Sequence, residues 1–483
     1  MPYSPELNEK RRWYNRPHTL FLLIALVFGS IFIVLTPPLR APDEDHHFAR
    51  ILSLSEGTLR GIPHAPAVFR DYIIQARTKA QEIHHRTPQH PVYYLPASII
   101  TSLVAPTAIN NTEIVSLDTM NRGILNTPAS YLSALPTVWL ATHLGAAPAV
   151  TFYLARLSLF LVSTLLIYYA IRITPVLKWP LFFLTLFPTL VFIRSSISPD
   201  PLNIGYSLLF FALLNQSMLS DAPITDRRII YLSILSFLLC FSKNIYFLLS
   251  GIFFLLPVRK FKSRKQYIAA LFCIVILPLI ADIGWLSVIS QTLHALPHGT
   301  DDSFQMPNGV DEHAQMFFVV SHPIVFLQTV WHTWSSQGNW FLFIVHLVGA
   351  LGLLDMHLPF MLIIPAFLLL FLLPIRKPNE APYLIPPLHR FLYLGLFIAS
   401  LLLVALAVYV VWTPVSADSI QGIQGRYFAP IFPLLLMATG WQNFARKYYT
   451  YIITFAVFFT LFMLLSSINI FLYHDYGLSL WMF

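Results

Sequence analysis

The chain has 483 residues, of which 56% are hydrophobic, 15% aromatic and 11% charged, with a formal net charge of +8. A soluble domain averages roughly 45–50% apolar and about 25% charged residues, so this composition excludes an ordinary soluble protein and indicates a multi-span membrane protein. At roughly 20 residues per span plus loops, there is room for about 10 to 14 helices, and no polar stretch is long enough for a separate soluble domain.

The positive charge does not indicate a nucleic-acid partner. It clusters at the ends of apolar runs, in Lys10-Arg11-Arg12, Arg227-Arg228, Arg259 to Lys265, Arg376-Lys377 and Arg446-Lys447. That is the positive-inside pattern, and it also suits contact with anionic membrane lipids. Cys240 and Cys273 both lie in apolar runs, so neither a disulfide framework nor a cysteine metal site is supported.

In chain order, residues 1–17 read as a cytoplasmic N-terminus and 18–36 as a first helix. Thr36 to Arg40 makes a poor cleavage site, so this helix is expected to be retained. It delivers Pro37 to the outer face, where a long first outer loop, 37–150, begins. Within that loop an amphipathic stretch runs from Asp43 to Gly57 and a polar one lies around Arg70 to Gln89. The pieces 91–104 and 128–144 are short and carry prolines, which suits interfacial or re-entrant helices.

Further spans are expected near 151–172, 178–194, 200–219, 228–241, 244–257 and 267–288, before a second outer loop at 292–322. Then come 323–337, 340–355, 358–375, 391–412, 428–444 and 450–472, with an outer tail over 473–483. The expectation is an all-α polytopic bundle of about 13 transmembrane helices, forming one domain over 18–472. No internal repeat is evident, which counts against an inverted-repeat transporter.

The chemistry gathers at the outer ends of these runs. Pro42-Asp43-Glu44-Asp45-His46-His47 sets three carboxylates and two imidazoles beside hydrocarbon, where ionisable groups are costly and mark function. Ser198-Pro199-Asp200, Lys243 and the turn from Gln421 to Tyr427 fall on the same face. There a carboxylate can deprotonate a hydroxyl or hold a divalent cation, magnesium or manganese. Arg426 and Lys243 can hold a phosphate, and glycines on either side of Gln424 let backbone amides approach it. Together these suggest transfer from a phosphorylated lipid donor.

Plainer roles compete at each position. Asp43 and Glu44 can simply cap an interfacial helix, Asp200 can be a turn acid, and Arg426 and Lys243 can snorkel. His47 stands one turn after Asp43 and can pair with it or face solvent. Asp45 and His46 are expected to face solvent, and Asp301, Asp302, Asp311 and Glu312 to belong to a solvated loop.

Pro42-Asp43-Glu44, followed by His47-Phe48-x-Arg50 and Ser55-x-Gly57, resembles the first-loop signature of a bacterial membrane family named "domain of unknown function 2142". Tyr153-Leu-Ala-Arg156-Leu, Ser198-Pro199-Asp200, Gly352-Leu-Leu-Asp355 and Gln424-Gly425-Arg426-Tyr427-Phe428-x-Pro430 resemble further landmarks of that family, in the same order. The resemblance spans about residues 18 to 440 and implies a GT-C-like glycosyltransferase architecture. It further implies a polyprenyl-phosphate-linked sugar as donor and an envelope glycan or glycolipid as acceptor, with the reaction on the extracytoplasmic face of a bacterial cytoplasmic membrane.

Carried over by position, Asp43 would be the base and Glu44 its neighbour, orienting the acceptor or a metal. Arg426, with Lys243 and Gln424, would hold the phosphate, and His47, Asp200, Arg156 and Tyr427 would support them. Recognition of the acceptor is expected from 58–150 and 292–322. Two other classes remain: a transporter or flippase of lipid-linked glycans, and a non-catalytic envelope assembly protein.

Overall fold

The computed structural model describes residues 16–60, 63–84, 113–117, 126–294, 309–336, 339–375, 385–440 and 446–480. The expected piece at 91–104, His298, Asp301, Asp302 and the basic clusters at 10–12 and 376–377 lie outside the described residues.

Helix α1 (Pro17–Leu35) opens on a proline at its first turn, where a missing N–H costs nothing. Helix α2 (Glu44–Ser55) follows, then β1 (His64–Pro66), α3 (Ala67–His84) and β2 (Ile114–Ser116). The two strands pair antiparallel, with His64 opposite Ser116. Helix α4 (Ala134–His143) leads into α5 (Pro148–Ile173), which packs against α1, α4 and α8 (Asp200–Leu219). Between α5 and α8 lie two short helices, α6 (Lys178–Thr185) and α7 (Pro188–Arg194).

Helix α9 (Asp226–Ser242) meets a 3-10 helix, Asn244–Leu255, at Lys243. Next α10 (Arg264–Leu271) runs through a π segment into α11 (Leu277–His294). Helices α12 (Glu312–Ser321) and α13 (Pro323–Ser335) meet at a bend of 106°. Helix α14 (Asn339–Val348) precedes a two-residue hairpin, β3 (Ala350–Leu351) with β4 (Met356–His357), and then α15 (Phe360–Leu372). Helices α16 (Pro387–Trp412), α17 (Phe432–Thr439) and α18 (Tyr449–Tyr476) complete the chain.

The protein is mostly helical, as expected. Among the described residues six helices are long and apolar enough to cross a membrane, or seven if the bent pair is one span. Their surroundings differ: 83% of the apolar window in α8 is buried against 28% in α16. Helix α8 therefore belongs to the protein interior, whereas α16 turns most of its apolar surface outward.

Several expected spans take another form. The run 178–194 is two helices, because Pro188 lacks an N–H and starts a new one. The carbonyl of Thr185 left at that break accepts from the buried Arg194 Nη2 at 3.1 Å. The run 340–355 ends its helix at Val348 and turns back as a hairpin. The run 428–444 carries a helix of only 8 residues. Asp311 is a helix cap, its side chain accepting from the Ala314 amide. Helix α18 continues past the expected boundary at 472, through Tyr476.

The charges separate along the bundle. At the C-terminal end of α8, Lys260 Nζ donates to the carbonyls of Ser217 and Met218 at 2.9 and 2.7 Å, where the helix dipole favours a cation. Asp200 stands at the opposite end of the same helix, roughly 30 Å away at 1.5 Å per residue.

Candidate functional site

Two adjacent carboxylates at the start of α2 meet different fates. Glu44 is buried, with Arg156 Nε at 2.9 Å from one oxygen and Nη2 at 2.6 Å from the other. The Ile197 amide donates to it as well, at 2.9 Å. Arg156 also donates to the carbonyls of Thr36 and Pro37 at 2.6 and 3.0 Å, and its guanidinium lies over the rings of Phe152 and Tyr153. One ion pair thus ties the end of α1, the start of α2, α5 and the turn before α8. Glu44 belongs to this joint and does not line the pocket beside it.

Asp43 is exposed, and among the described residues its side chain makes no hydrogen bond. Its backbone is left-handed, with φ at 59°, a conformation that a non-glycine residue adopts at a cost of about 1 kcal/mol or more and that recurs at functional sites. That turn points consecutive carboxylates in different directions. Asp43 lines a pocket of about 670 Å³, with Lys243, Gln424 and Tyr427 also in its wall.

Lys243 sits in extended backbone between α9 and the 3-10 helix that follows. Its ammonium reaches Asp200 Oδ1 at 3.0 Å and lies 4.8 Å from the centre of the Tyr427 ring. Arg426 Nε is 3.6 Å from the other Asp200 oxygen, and its guanidinium lies against Tyr427. One carboxylate therefore faces two cations, which leaves the group with net positive charge. Burial would lower the Arg426 pKa, but Tyr427, Asp200 and Asp43 together outweigh it and raise the pKa above its ordinary value. Gly425 is required here, because a Cβ would run into the backbone of Phe343 and Leu347 on α14.

His47 stands behind this group, its Nδ1 at 2.6 Å from Tyr131 Oη. Burial dominates its titration and, against the pull of Asp43, Asp200 and Asp45, lowers the pKa to about 4. His47 is therefore neutral at physiological pH. Burial also raises the Tyr131 phenol well above its ordinary value.

Asp45 and His46 do not face solvent as expected. His46 is buried, and Asp45 pairs with Arg77 of α3 at 2.6 Å. Burial would raise the Asp45 pKa, but His46 and Arg77 outweigh it and hold the carboxyl below its usual range. Arg77, Gln81 and His84 recur at helical spacing along α3, and the last two line the pocket. Their helical period was legible in the stretch around Arg70 to Gln89, because Ile73, Ala76, Ala80 and Ile83 recur at the same spacing and are buried along α3.

The opposite wall of the pocket is apolar, formed by Val404, Ala407, Val408 and Val411 on α16. A polar end thus opens onto a hydrocarbon-like flank. Among the described residues no group of three or more His, Cys, Asp or Glu side chains is placed to share a metal ion. Among the described residues the pocket wall offers one carboxylate, Asp43, beside Lys243, whereas magnesium or manganese needs several oxygen ligands.

A model of predicted membrane proteins, DUF2142, matches residues 26–435. The chain belongs to this family. None of the curated proteins and none of the solved structures matches it.

The segments that carry the DUF2142 resemblance converge in space. Asp43 and Glu44, Arg156, Asp200, and Gln424 to Tyr427 all reach the pocket or the joint behind it. Asp355 does too, through His84 of the pocket wall, whose Nδ1 lies 3.0 Å from it, and Arg40 Nη1 and Nη2 lie 3.1 and 2.6 Å from its two oxygens. Arg40 is fully buried and also bonds Asp475 at 3.1 and 3.0 Å, which ties α18 to the same end of the bundle. Of this second cluster the sequence singled out only Asp355, in Gly352-Leu-Leu-Asp355, and its pairing had no local signal, because the members lie up to 435 residues apart and Asp475 falls at the end of an apolar run.

Proposed function

We propose that this DUF2142 protein is a GT-C-type membrane glycosyltransferase, working at the extracytoplasmic face of a bacterial cytoplasmic membrane. It moves a sugar from a polyprenyl-phosphate donor to a cell-envelope glycan or glycolipid, with inversion at the anomeric carbon. The observation that carries this reading is the pocket itself, where Asp43, whose side chain makes no hydrogen bond among the described residues, shares the wall with Lys243 across from an apolar flank, with Arg426 behind them against Asp200.

Asp43 takes the proton from the acceptor hydroxyl. The oxygen then forms its bond to the anomeric carbon, and the electron pair of the breaking C–O bond leaves on the phosphate. A positioned base of this kind contributes roughly 10² to 10⁴ in rate. Lys243, Arg426 and Gln424 hold the departing phosphate, and charge stabilisation there is the larger part of catalysis in many enzymes. Asp200 positions both cations, Tyr427 flanks them, and His47 backs the same wall. Glu44 and Arg156 fix the turn that aims Asp43.

The separation of charge along α8 supports the outer-face assignment, since the basic loop at Lys260 lies at the end opposite the pocket. The full count of about 13 crossings belongs to this same proposal, with the short helices completing the bundle between the long ones.

The test uses the full chain in lipid nanodiscs, a panel of polyprenyl-phosphate monosaccharides and an envelope glycan extract. Release of free polyprenyl phosphate that depends on the glycan is the expected result. Binding of the donors without release from any of them would favour a flippase.

A further inference from the structure

Helices α12 and α13 are together apolar enough to make a span, yet both of their ends are tied to one loop. At the start of the pair the Gly309 carbonyl accepts from the Val415 amide, and Gln315 Oε1 accepts from the Ser416 amide, both at 2.9 Å. At its end Thr333 Oγ1 accepts from the Ile420 amide at 2.9 Å, and His332 Nδ1 lies 3.1 Å from the Asp418 carbonyl oxygen. Only a short stretch of chain separates Val415 from Ile420, so those anchors stand at most about 18 Å apart. A helix that crosses the hydrocarbon core has ends roughly 30 Å apart. The 106° bend between Ser321 and Pro323 turns the chain back instead.

The two faces of the pair differ. Val319, Phe326 and Val330 pack against Ala405 and Tyr409 of α16 and against Ile420 of the loop. On the other face Phe317, Val320, Ile324 and Trp331 are 70–75% exposed, and Ile324, Leu327 and Trp331 recur at helical spacing. No Asp, Glu, Lys or Arg occurs from His313 to Leu354. Single exposed apolar side chains are ordinary, but a stripe of this size marks contact with a partner or a membrane. Membrane is the occupant that fits, because α12 packs on α16, whose own apolar surface faces mostly outward. The bend is also equipped for hydrocarbon, where backbone groups find no water: Pro323 has no N–H, and the His322 amide donates to the Phe318 carbonyl at 2.8 Å.

We propose that α12 and α13 form a re-entrant wedge, which enters and leaves on the same side of the membrane and binds acyl chains of that leaflet with its outward face. The loop that holds both ends runs on into Gly422 and Gln424 of the pocket wall, so that side is the pocket side. The wedge stands whether or not the protein is a transferase. It removes the crossing expected at 323–337, and the run 340–355 already turns back at its hairpin. Crossings are thereby lost as a pair, so the later segments keep their orientation, and the proposed count falls to about 11.

The test places single cysteines in the full chain, with Cys240 and Cys273 replaced by alanine, in sealed membrane vesicles. Glu312→Cys and Ser335→Cys mark the two ends, and Ser321→Cys marks the bend. A membrane-impermeant maleimide is expected to react with both end positions from the same face, and with Ser321→Cys from neither face. A nitroxide attached at Ser321→Cys is expected to be relaxed by oxygen and not by a water-soluble nickel chelate. These side chains are exposed, and the melting temperature of each variant checks its folding. Val320→Cys, a second outward position, repeats the reading if Ser321→Cys does not fold.

Reaction of the two ends from opposite faces would overturn the proposal, because the pair would then cross. Labelling at the bend by the impermeant reagent would overturn it by placing the bend in water. A nitroxide shielded from both oxygen and nickel would also overturn it, in favour of a protein partner or a second copy of this chain on that face.

Discussion

Asp43 and Glu44 are neighbours in sequence with the same charge, yet they occupy opposite electrostatic situations. Glu44 is sealed against Arg156, and Asp43 lines a pocket with, among the described residues, no hydrogen bond from its side chain. The difference comes from one left-handed residue, which turns the first carboxylate outward while helix α2 carries the second inward. A buried ion pair whose oxygens are all engaged is a fastener. A free carboxylate beside cations has reactive capacity left. Within one dipeptide the chain separates structure from chemistry.

The largest effect expected is at the fastener. Glu44→Ala leaves Arg156 buried without its partner, which costs about 3–5 kcal/mol, and thermal unfolding in nanodiscs should fall sharply or the protein should fail to fold. Next comes Lys243→Met. Stability should change little, because Asp200 keeps Arg426 nearby, while affinity for polyprenyl phosphate should weaken by about tenfold or more, as for a lost charge-assisted hydrogen bond. Loss of stability without loss of affinity would reverse the contrast.

A smaller effect is expected from pH. The folded His47 pKa of about 4 lies below its ordinary 6.5, so the unfolded chain binds more protons between those values. The stability contributed by neutral His47 is complete above about pH 6.5 and is lost as pH falls toward 4. His47→Gln should flatten that part of the melting-temperature profile, and an unchanged slope would contradict the assignment. Smallest is Asp43→Gly, which relieves the left-handed strain and should raise stability by about 1 kcal/mol while removing activity.

Much of the architecture was legible because a long apolar run is its own signal. The expected 200–219 is helix Asp200–Leu219, and 151–172 lies within Pro148–Ile173. Short elements were not. Pro188 splits one run, and Gly352 folds the end of another into a hairpin. Hydropathy averages over such breaks, so the expected count of spans exceeded the six or seven that length and composition support among the described residues.

The site was legible as a set of residue types and not as a set of partners. Asp43, Lys243 and Gln424 do share one pocket. That Glu44 would be taken by Arg156, 112 residues away, depends on helix packing that no local pattern encodes. The same holds for Asp200 between Lys243 and Arg426.

The most direct test of the division between the two carboxylates is the rate of polyprenyl-phosphate release by Asp43→Asn, measured beside its melting temperature. The account predicts a rate lower by roughly 10² to 10⁴ with a melting temperature close to that of the wild type. Release at the wild-type rate by the folded variant would contradict it and move the base elsewhere in the pocket.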